Sequence, residues 1–250
     1  MRLTGHRILI TGGTSGIGLG LARAFHGRGN RVAVAGRSAE RLARAAEELP
    51  GLVTVQADLA VRGEAEGLLE DAVTRLGGLT ILVNNAGMQC RHDYLTDDPV
   101  DVLREIRTEI AVNIEALITL SIRALPLLRA ADESAIVNIS SILAFAPKRS
   151  APVYCASKAA VHSFTRALRY QVREGASHVR MVDVQPPAVD TPMTAGRGRP
   201  EDKLTVEQVT EGILGGLARD AEEIPLGRTR SARLLLRVAP GWVFRRLRDA

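Results

Sequence analysis

Tyr154 and Lys158 stand four residues apart in Val153-Tyr154-Cys155-Ala156-Ser157-Lys158. On a helix, positions i and i+4 share a face. A phenol is a weak acid with a free pKa of about 10, and an ammonium held beside it favours the phenolate. A tyrosine tuned this way gives or takes a proton near neutral pH. Tyr and Lys at this spacing most often make an ordinary surface contact, so the pair's company decides its meaning. Ser141 lies thirteen residues upstream at the end of an apolar run, and a glycine-rich loop opens the chain. Together the three features imply oxidoreductase chemistry.

Such residues need a scaffold. Short Val/Ile/Leu runs over 7–10, 31–35, 53–56, 81–84, 135–140, 180–185 and 223–226 alternate with helical patterns such as 17–28 and 40–48. The strands read as continuous apolar runs, the pattern of a parallel sheet covered on both faces. The order predicts an α/β, doubly wound Rossmann-type fold with a mostly parallel seven-stranded sheet. No repeat or linker divides the 250 residues, so one domain is expected over 1–250, with residues 228–250 as a basic tail. The polar, glycine-rich stretch 195–202 reads as a mobile loop.

Ile8-Leu9-Ile10 leads straight into Thr11-Gly12-Gly13-Thr14-Ser15-Gly16-Ile17-Gly18 and then a helix. Glycines let a backbone approach a pyrophosphate, and a helix N-terminus favours the anion. A tight turn is the bland alternative, but the position between first strand and first helix favours a dinucleotide. At the second strand end, where NAD binders carry an acid for the ribose 2′-hydroxyl, the chain reads Ala35-Gly36-Arg37-Ser38. The missing carboxylate and the arginine both point to NADP(H) rather than NAD(H). Asp58-Leu59, after the third strand, is placed to hold the adenine edge, though an aspartate there also serves as a cap.

The net charge is +5 and nearly all of the cation is arginine; Lys148, Lys158 and Lys203 are the only lysines. With 3% aromatic residues and no basic motif in the first two thirds, no nucleic-acid partner is expected. No apolar run reaches the ~18 residues of a membrane span, and residues 1–7 lack the apolar core of a signal peptide. A cytoplasmic location is the default. Cys90 and Cys155 form no metal-type spacing. His6, His26, His92, His162 and His178 show no clustering with cysteines or carboxylates, so no metal is expected.

These residues resemble the short-chain dehydrogenase/reductase family over nearly the whole chain. Thr11-Gly12-x-x-x-Gly16-x-Gly18 is similar to its cofactor loop, and Asn84-Asn85-Ala86-Gly87 to the motif beside the cofactor at the fourth strand end. Asn113, Ser141, Tyr154 and Lys158 fall where the family's catalytic tetrad falls. Pro186-Pro187-Ala188-Val189-Asp190-Thr191 is similar to the segment that contacts the nicotinamide carboxamide. Pro187 replaces the usual glycine, which stiffens the pocket wall. The double proline and basic tail resemble the DltE-type branch, named for association with teichoic-acid genes.

The resemblance implies roles. Tyr154 donates the proton when a carbonyl is reduced and accepts it when an alcohol is oxidised. Lys158 bonds the nicotinamide ribose and lowers the Tyr154 pKa. Ser141 holds the substrate oxygen, its neighbour Ser140 being set aside by the spacing to Tyr154. Asn113 holds a water linking Lys158 to solvent. Met88, Tyr94, Leu143, Phe145, Val153, Pro187, Ala188 and Met193 follow strand ends or catalytic motifs and are the candidate pocket residues. Most are apolar, which favours a hydrophobic carbonyl or alcohol as substrate. A non-catalytic NADP(H) sensor and a membrane-peripheral scaffold are the alternatives of other classes.

The tail mixes arginines with Leu234, Leu235, Leu236, Trp242, Val243 and Phe244. A basic amphipathic helix can lie on an anionic membrane. The preferred expectation is that this face packs on the domain or on a second subunit, within a homo-oligomer (a dimer or a tetramer).

Overall fold

Seven parallel strands form the sheet: β1 (Arg7–Thr11), β2 (Arg31–Gly36), β3 (Val53–Gln56), β4 (Ile81–Asn84), β5 (Ser134–Ile139), β6 (Val179–Gln185) and β7 (Glu223–Pro225), in the order β3-β2-β1-β4-β5-β6-β7. The computed structural model describes residues 1–196 and 198–248. Arg197 in the predicted loop, and Asp249 and Ala250 at the end of the tail, lie outside the described residues. Successive strand residues point to opposite faces. Ile8 and Ile10 join a core with Leu21, Phe25 and Ile213, while Leu9 joins another with Leu76, Leu120 and Leu168. The first core is closed by α1 (Gly16–His26), α2 (Ala39–Glu48) and α7 (Val206–Ala218). The second is closed by α3 (Glu64–Leu76), α5 (Ala116–Arg129) and α6 (Pro152–Gly175).

Local chemistry starts the helices where they start. Ser38 caps α2 by accepting the Arg41 N–H at 3.3 Å. Asp98 caps α4 (Pro99–Ile110) with its side chain on the Val100 N–H at 2.8 Å, and Pro99 occupies the first helical position. Thr205 and Gln208 form a reciprocal capping box on α7.

Chain order reverses between β1 and β4, and ligands in such sheets bind at the strand C-termini beside that point. Buried polar ties fix what stands there. Asn84 Nδ2 donates to Asn138 Oδ1 (2.8 Å) and to Ser121 Oγ (3.0 Å), and Asn138 Nδ2 donates to Thr165 Oγ1 (2.8 Å). This joins β4, β5, α5 and α6.

Two features depart from the sequence reading. A π-helical turn, Ala111–Glu115, joins α4 to α5, so residues 99–129 form one helical rod that is long and apolar enough to cross a bilayer by length and composition. Its Leu117, Leu120, Ala124 and Leu128 lie in the core, whereas Ile122 is exposed. The tail forms α8 (Thr229–Val238) and α9 (Pro240–Leu247). Val243 is buried, but Leu234, Leu235, Val238, Trp242 and Phe244 stay exposed in the single chain. The domain therefore covers only part of the tail's apolar face, burying Val243 and half-burying Leu236.

Candidate active site

The glycine loop is pinned to the end of β4. Thr11 Oγ1 accepts the N–H groups of Asn85 and Ala86, both at 3.0 Å. Asn85 Nδ2 donates to the Thr11 carbonyl (2.9 Å) and the Gly12 carbonyl (3.1 Å). A Cβ on Gly18 would strike the Gly12 carbonyl, and one on Gly16, where φ is +51°, would lie 2.9 Å from Thr191 Cγ2. The loop is thus a cradle bounded by Asn85 and Thr191 that side chains would fill. Helix α1 opens on it with no acidic residue in its first turn, and Ser15 leaves its side chain unused as a cap. This shape and charge fit a dinucleotide pyrophosphate.

At the adenosine end Arg37 is exposed and its carbonyl accepts from Gln56. No ion pair among the described residues engages its guanidinium. Arg41 and Arg44 line, with Thr14, Ser15 and Glu48, a cavity of about 330 Å³. The sequence reading did not single these two out; they lie four and seven residues after Arg37, on α2. Ser38 is occupied as a helix cap, Asp58 Oδ1 accepts the Ala60 N–H at 3.0 Å, and Leu59 packs on the core.

Four predicted catalytic residues converge at the ends of β4 and β5. Ser141 Oγ accepts the Leu143 N–H at 3.1 Å, which leaves its O–H to donate elsewhere. Ser140 is committed to the core, its hydroxyl donating to Asp183 and to the Val184 carbonyl. Lys158 is buried; its Nζ donates to the Ile139 carbonyl at 2.8 Å and lies 5.6 Å from the Tyr154 ring centroid. Asn113 sits at the centre of the π-helical turn, a feature frequent at functional sites. Its Oδ1 accepts the Met88 N–H and its Nδ2 donates to the Met88 carbonyl, both at 2.9 Å. A Cβ on Gly87 would meet Asn113 Oδ1 at 3.3 Å and Lys158 Nζ at 3.6 Å, so that bare backbone separates the two.

The electrostatics correct one expectation. Burial pushes the Tyr154 phenol above its ordinary value, with Cys155 and Glu109 adding to it; Lys158 does not lower it here. The ammonium donates to the Ile139 carbonyl and stands over the Tyr154 ring. Burial also lowers Lys158 to about 8, opposed by Asp183 and Glu109.

Met88, Leu143, Phe145, Val153, Pro187 and Met193 are half-buried; Tyr94 and Ala188 are exposed. Pro186 is buried and its carbonyl accepts the Ile142 N–H at 3.0 Å, while Val189 bridges to Leu204. Phe145 is held between the His162 ring edge and the Arg233 guanidinium, with centroid distances of 4.7 and 4.9 Å. Helix α8 thereby supports the pocket wall, which nothing in its basic pattern announced. Two histidines cluster after all. His162 Nδ1 lies 2.6 Å from buried Asp183, and His92 stands among Cys90, Asp97 and Glu105. Strand pairing and a loop turn bring together residues that sequence distance keeps apart. Glu109, four residues before Asn113, is buried in the same wall, and burial raises its pKa.

A sequence profile described as short chain dehydrogenase matches residues 6–202. The chain belongs to that family. It is 39% identical over 238 residues, 93% of this chain and 92% of the relative, to a Bacillus subtilis protein called uncharacterized oxidoreductase DltE. A Burkholderia cenocepacia short chain dehydrogenase in complex with NADP superposes with a TM-score of 0.84 at 27% identity, covering 99% of each chain. A Brucella melitensis 3-ketoacyl-(acyl-carrier-protein) reductase complexed with NADH superposes at 0.80 and 26%, covering 91% of this chain and all of that one. This short-chain dehydrogenase is therefore an oxidoreductase of nicotinamide-cofactor type.

The buried lysine makes a pH-dependent prediction. Its folded pKa lies below the unfolded value, so the fold bears the full cost of burying the charge below about pH 8, and that cost fades as pH rises toward 10.5. Lys158→Met should raise the melting temperature of the cofactor-free protein by roughly 2–4 °C at pH 7, with the gain shrinking by pH 10. Calorimetric melts across that range check it; a variant that melts lower than wild type at pH 7 refutes the assignment.

Proposed function

We propose that this short-chain dehydrogenase is an NADP(H)-dependent enzyme that interconverts a carbonyl and an alcohol on a hydrophobic substrate. The observation that supports the reading is the placing of Lys158 Nζ on the Ile139 carbonyl, two residues before Ser141, and 5.6 Å from the Tyr154 ring centroid, beside the Gly87 turn next to the cradle. The Gly12–Gly18 backbone, Asn85–Gly87 and Thr191 would hold the dinucleotide, which when bound supplies or accepts the hydride. Ser141 donates its free O–H to the substrate oxygen and holds it in place. Tyr154 passes its phenolic proton to that oxygen during reduction; the raised phenol pKa keeps it in the protonated form this direction needs. Lys158 carries positive charge toward the developing tyrosinate, and Asn113 holds the Met88 backbone that borders both. Met88, Leu143, Phe145 and Met193 supply an apolar wall.

Fluorescence titration of NADPH and NADH, then NADPH oxidation against aromatic, aliphatic and 3-oxoacyl carbonyls, tests the chemistry. Tyr154→Phe should cut turnover by about 10²–10⁴-fold, the usual worth of general acid catalysis, while NADPH affinity changes little. Turnover that survives the substitution removes Tyr154 from the mechanism.

Arg37, exposed and without a carboxylate partner among the described residues, supports the NADP(H) preference, since charge-assisted bonds to phosphate contribute about 1.5–3 kcal/mol each. Arg37→Asp should weaken NADPH binding about 10–100-fold and leave NADH nearly unchanged. Tighter binding of NADH than NADPH by the wild type overturns it.

The enzyme works as a homo-oligomer. Exposed Ile122 beside a cavity of about 410 Å³ between α3 and α5, together with the bare Leu234, Val238 and Trp242 on the tail, supports this reading. Light scattering at micromolar concentration should give a dimeric or tetrameric mass, and Ile122→Glu a smaller one; a monomeric wild type refutes it.

A further inference from the structure

Loop residues Cys90 and His92 meet Glu105 of α4, with one ligand atom from each lying within 4.8 Å of the others. The loop is held onto the helix at Cys90, whose N–H donates to Glu109 Oε2 at 3.2 Å and whose thiol donates to the Glu105 carbonyl at 3.9 Å. His92 is oriented between two carboxylates. Its Nε2 lies 3.4 Å from Glu105 Oε2 and its Nδ1 lies 3.6 Å from Asp97 Oδ2.

Among the described residues two polar atoms here make no hydrogen bond: His92 Nε2, whose contact with Glu105 lacks hydrogen-bond geometry, and Glu109 Oε1, on a residue only 1% exposed. A buried unpaired carboxylate oxygen is costly. The Cys90 thiol and the His92 imidazole act on the same Glu109 carboxyl, and Glu105 stands beside both of them. Thiolate, imidazole and carboxylate together are the donor set of zinc sites, where a divalent cation satisfies such lone pairs at once.

We propose that Cys90, His92 and Glu105 bind one Zn²⁺ ion, with the unpaired Glu109 Oε1 or solvent taking the fourth position and Asp97 as the outer carboxylate that orients the His92 ring. On binding, the Cys90 S–H bond breaks, its proton leaves to solvent and an S–Zn bond forms. The carboxylates that disfavour a bare thiolate favour a dication beside it. Bound there, the ion fastens the loop to α4. The loop runs from Met88, gripped by Asn113, to Tyr94, stacked on His92 with ring centroids 6.2 Å apart. Zinc thus sets the position of one wall of the candidate pocket. The assignment stands on these side chains and is independent of the reaction proposed above.

Co²⁺ is the spectroscopic probe. Full-length protein stripped with a chelator should take up one equivalent of Co²⁺, with a near-ultraviolet thiolate-to-cobalt band and the strong visible bands of four-coordination. Zn²⁺ should bleach them. Cys90→Ser should abolish the thiolate band while Cys155→Ser keeps it, and His92→Gln should weaken Co²⁺ binding at least tenfold. Circular dichroism melts confirm that each variant is folded. Absence of the thiolate band in the wild type, its survival in folded Cys90→Ser, or undiminished affinity in folded His92→Gln overturns the site.

Discussion

The position of α6 on the sheet depends on two buried polar clusters. Asn138 takes a hydrogen bond from Asn84 and gives one to Thr165, and Asp183 receives Ser140 and His162. The two clusters grip α6 at Thr165 and His162, one turn apart. An apolar interface would hold the helix as strongly but would let it rotate or slide at little cost. Directional bonds in a low-dielectric core do not. Tyr154 and Lys158 lie on the N-terminal part of this helix, so the same bonds that fix its rotation aim them at the strand ends. Ser141 follows directly from β5, one residue beyond the serine that the second cluster uses.

Parallel pairing supplies the rest. All seven carboxyl ends fall on one edge, so the cradle after β1, the Asn85–Gly87 turn after β4, Ser141 after β5 and Thr191 after β6 become neighbours without long excursions. The clamp of Thr11 and Asn85 then sets the depth of the cradle. Crowding here is specific: the close approach of Gly18 to the Gly12 carbonyl leaves no room for a side chain, while the same loop leaves Ser15 and the α1 N-terminus facing outward. Burial dominates the titrating groups at this edge, raising a phenol and depressing an ammonium.

Much of this was legible because it is periodic or local. The strands over 53–56 and 81–84 appear at the boundaries their apolar runs predict, and the others differ by a residue or so at an end. The glycine spacing and the Tyr154–Lys158 pair are likewise local patterns that one helix or one turn turns into geometry. What escaped depends on three-dimensional neighbours. Lys158 points at the Ile139 carbonyl because burial demands a hydrogen-bond acceptor for its ammonium, a demand that i,i+4 spacing does not encode. His92 joins Cys90 and Glu105 only through the fold of a loop onto α4. The tail's apolar face reads the same whether the domain covers it or not, and the domain covers Val243 while leaving Trp242 bare.

The rod over residues 99–129 shows how one irregularity serves two places. A regular helix through 111–115 would keep a single face toward the loop after β4. The π-helical turn inserts extra backbone there, and Asn113 uses it to grip both polar groups of Met88. One turn earlier Glu109 holds the Cys90 N–H. The loop is therefore tied to the rod at two points, two residues apart, by side chains of opposite character: an amide that is satisfied and a carboxylate that keeps one oxygen unpaired. The satisfied tie borders Lys158 through Gly87; the unsatisfied one faces Cys90 and His92. Met88 and Cys90 are two residues apart, so the amide tie beside Lys158 and the carboxylate tie beside His92 act on one short stretch of backbone.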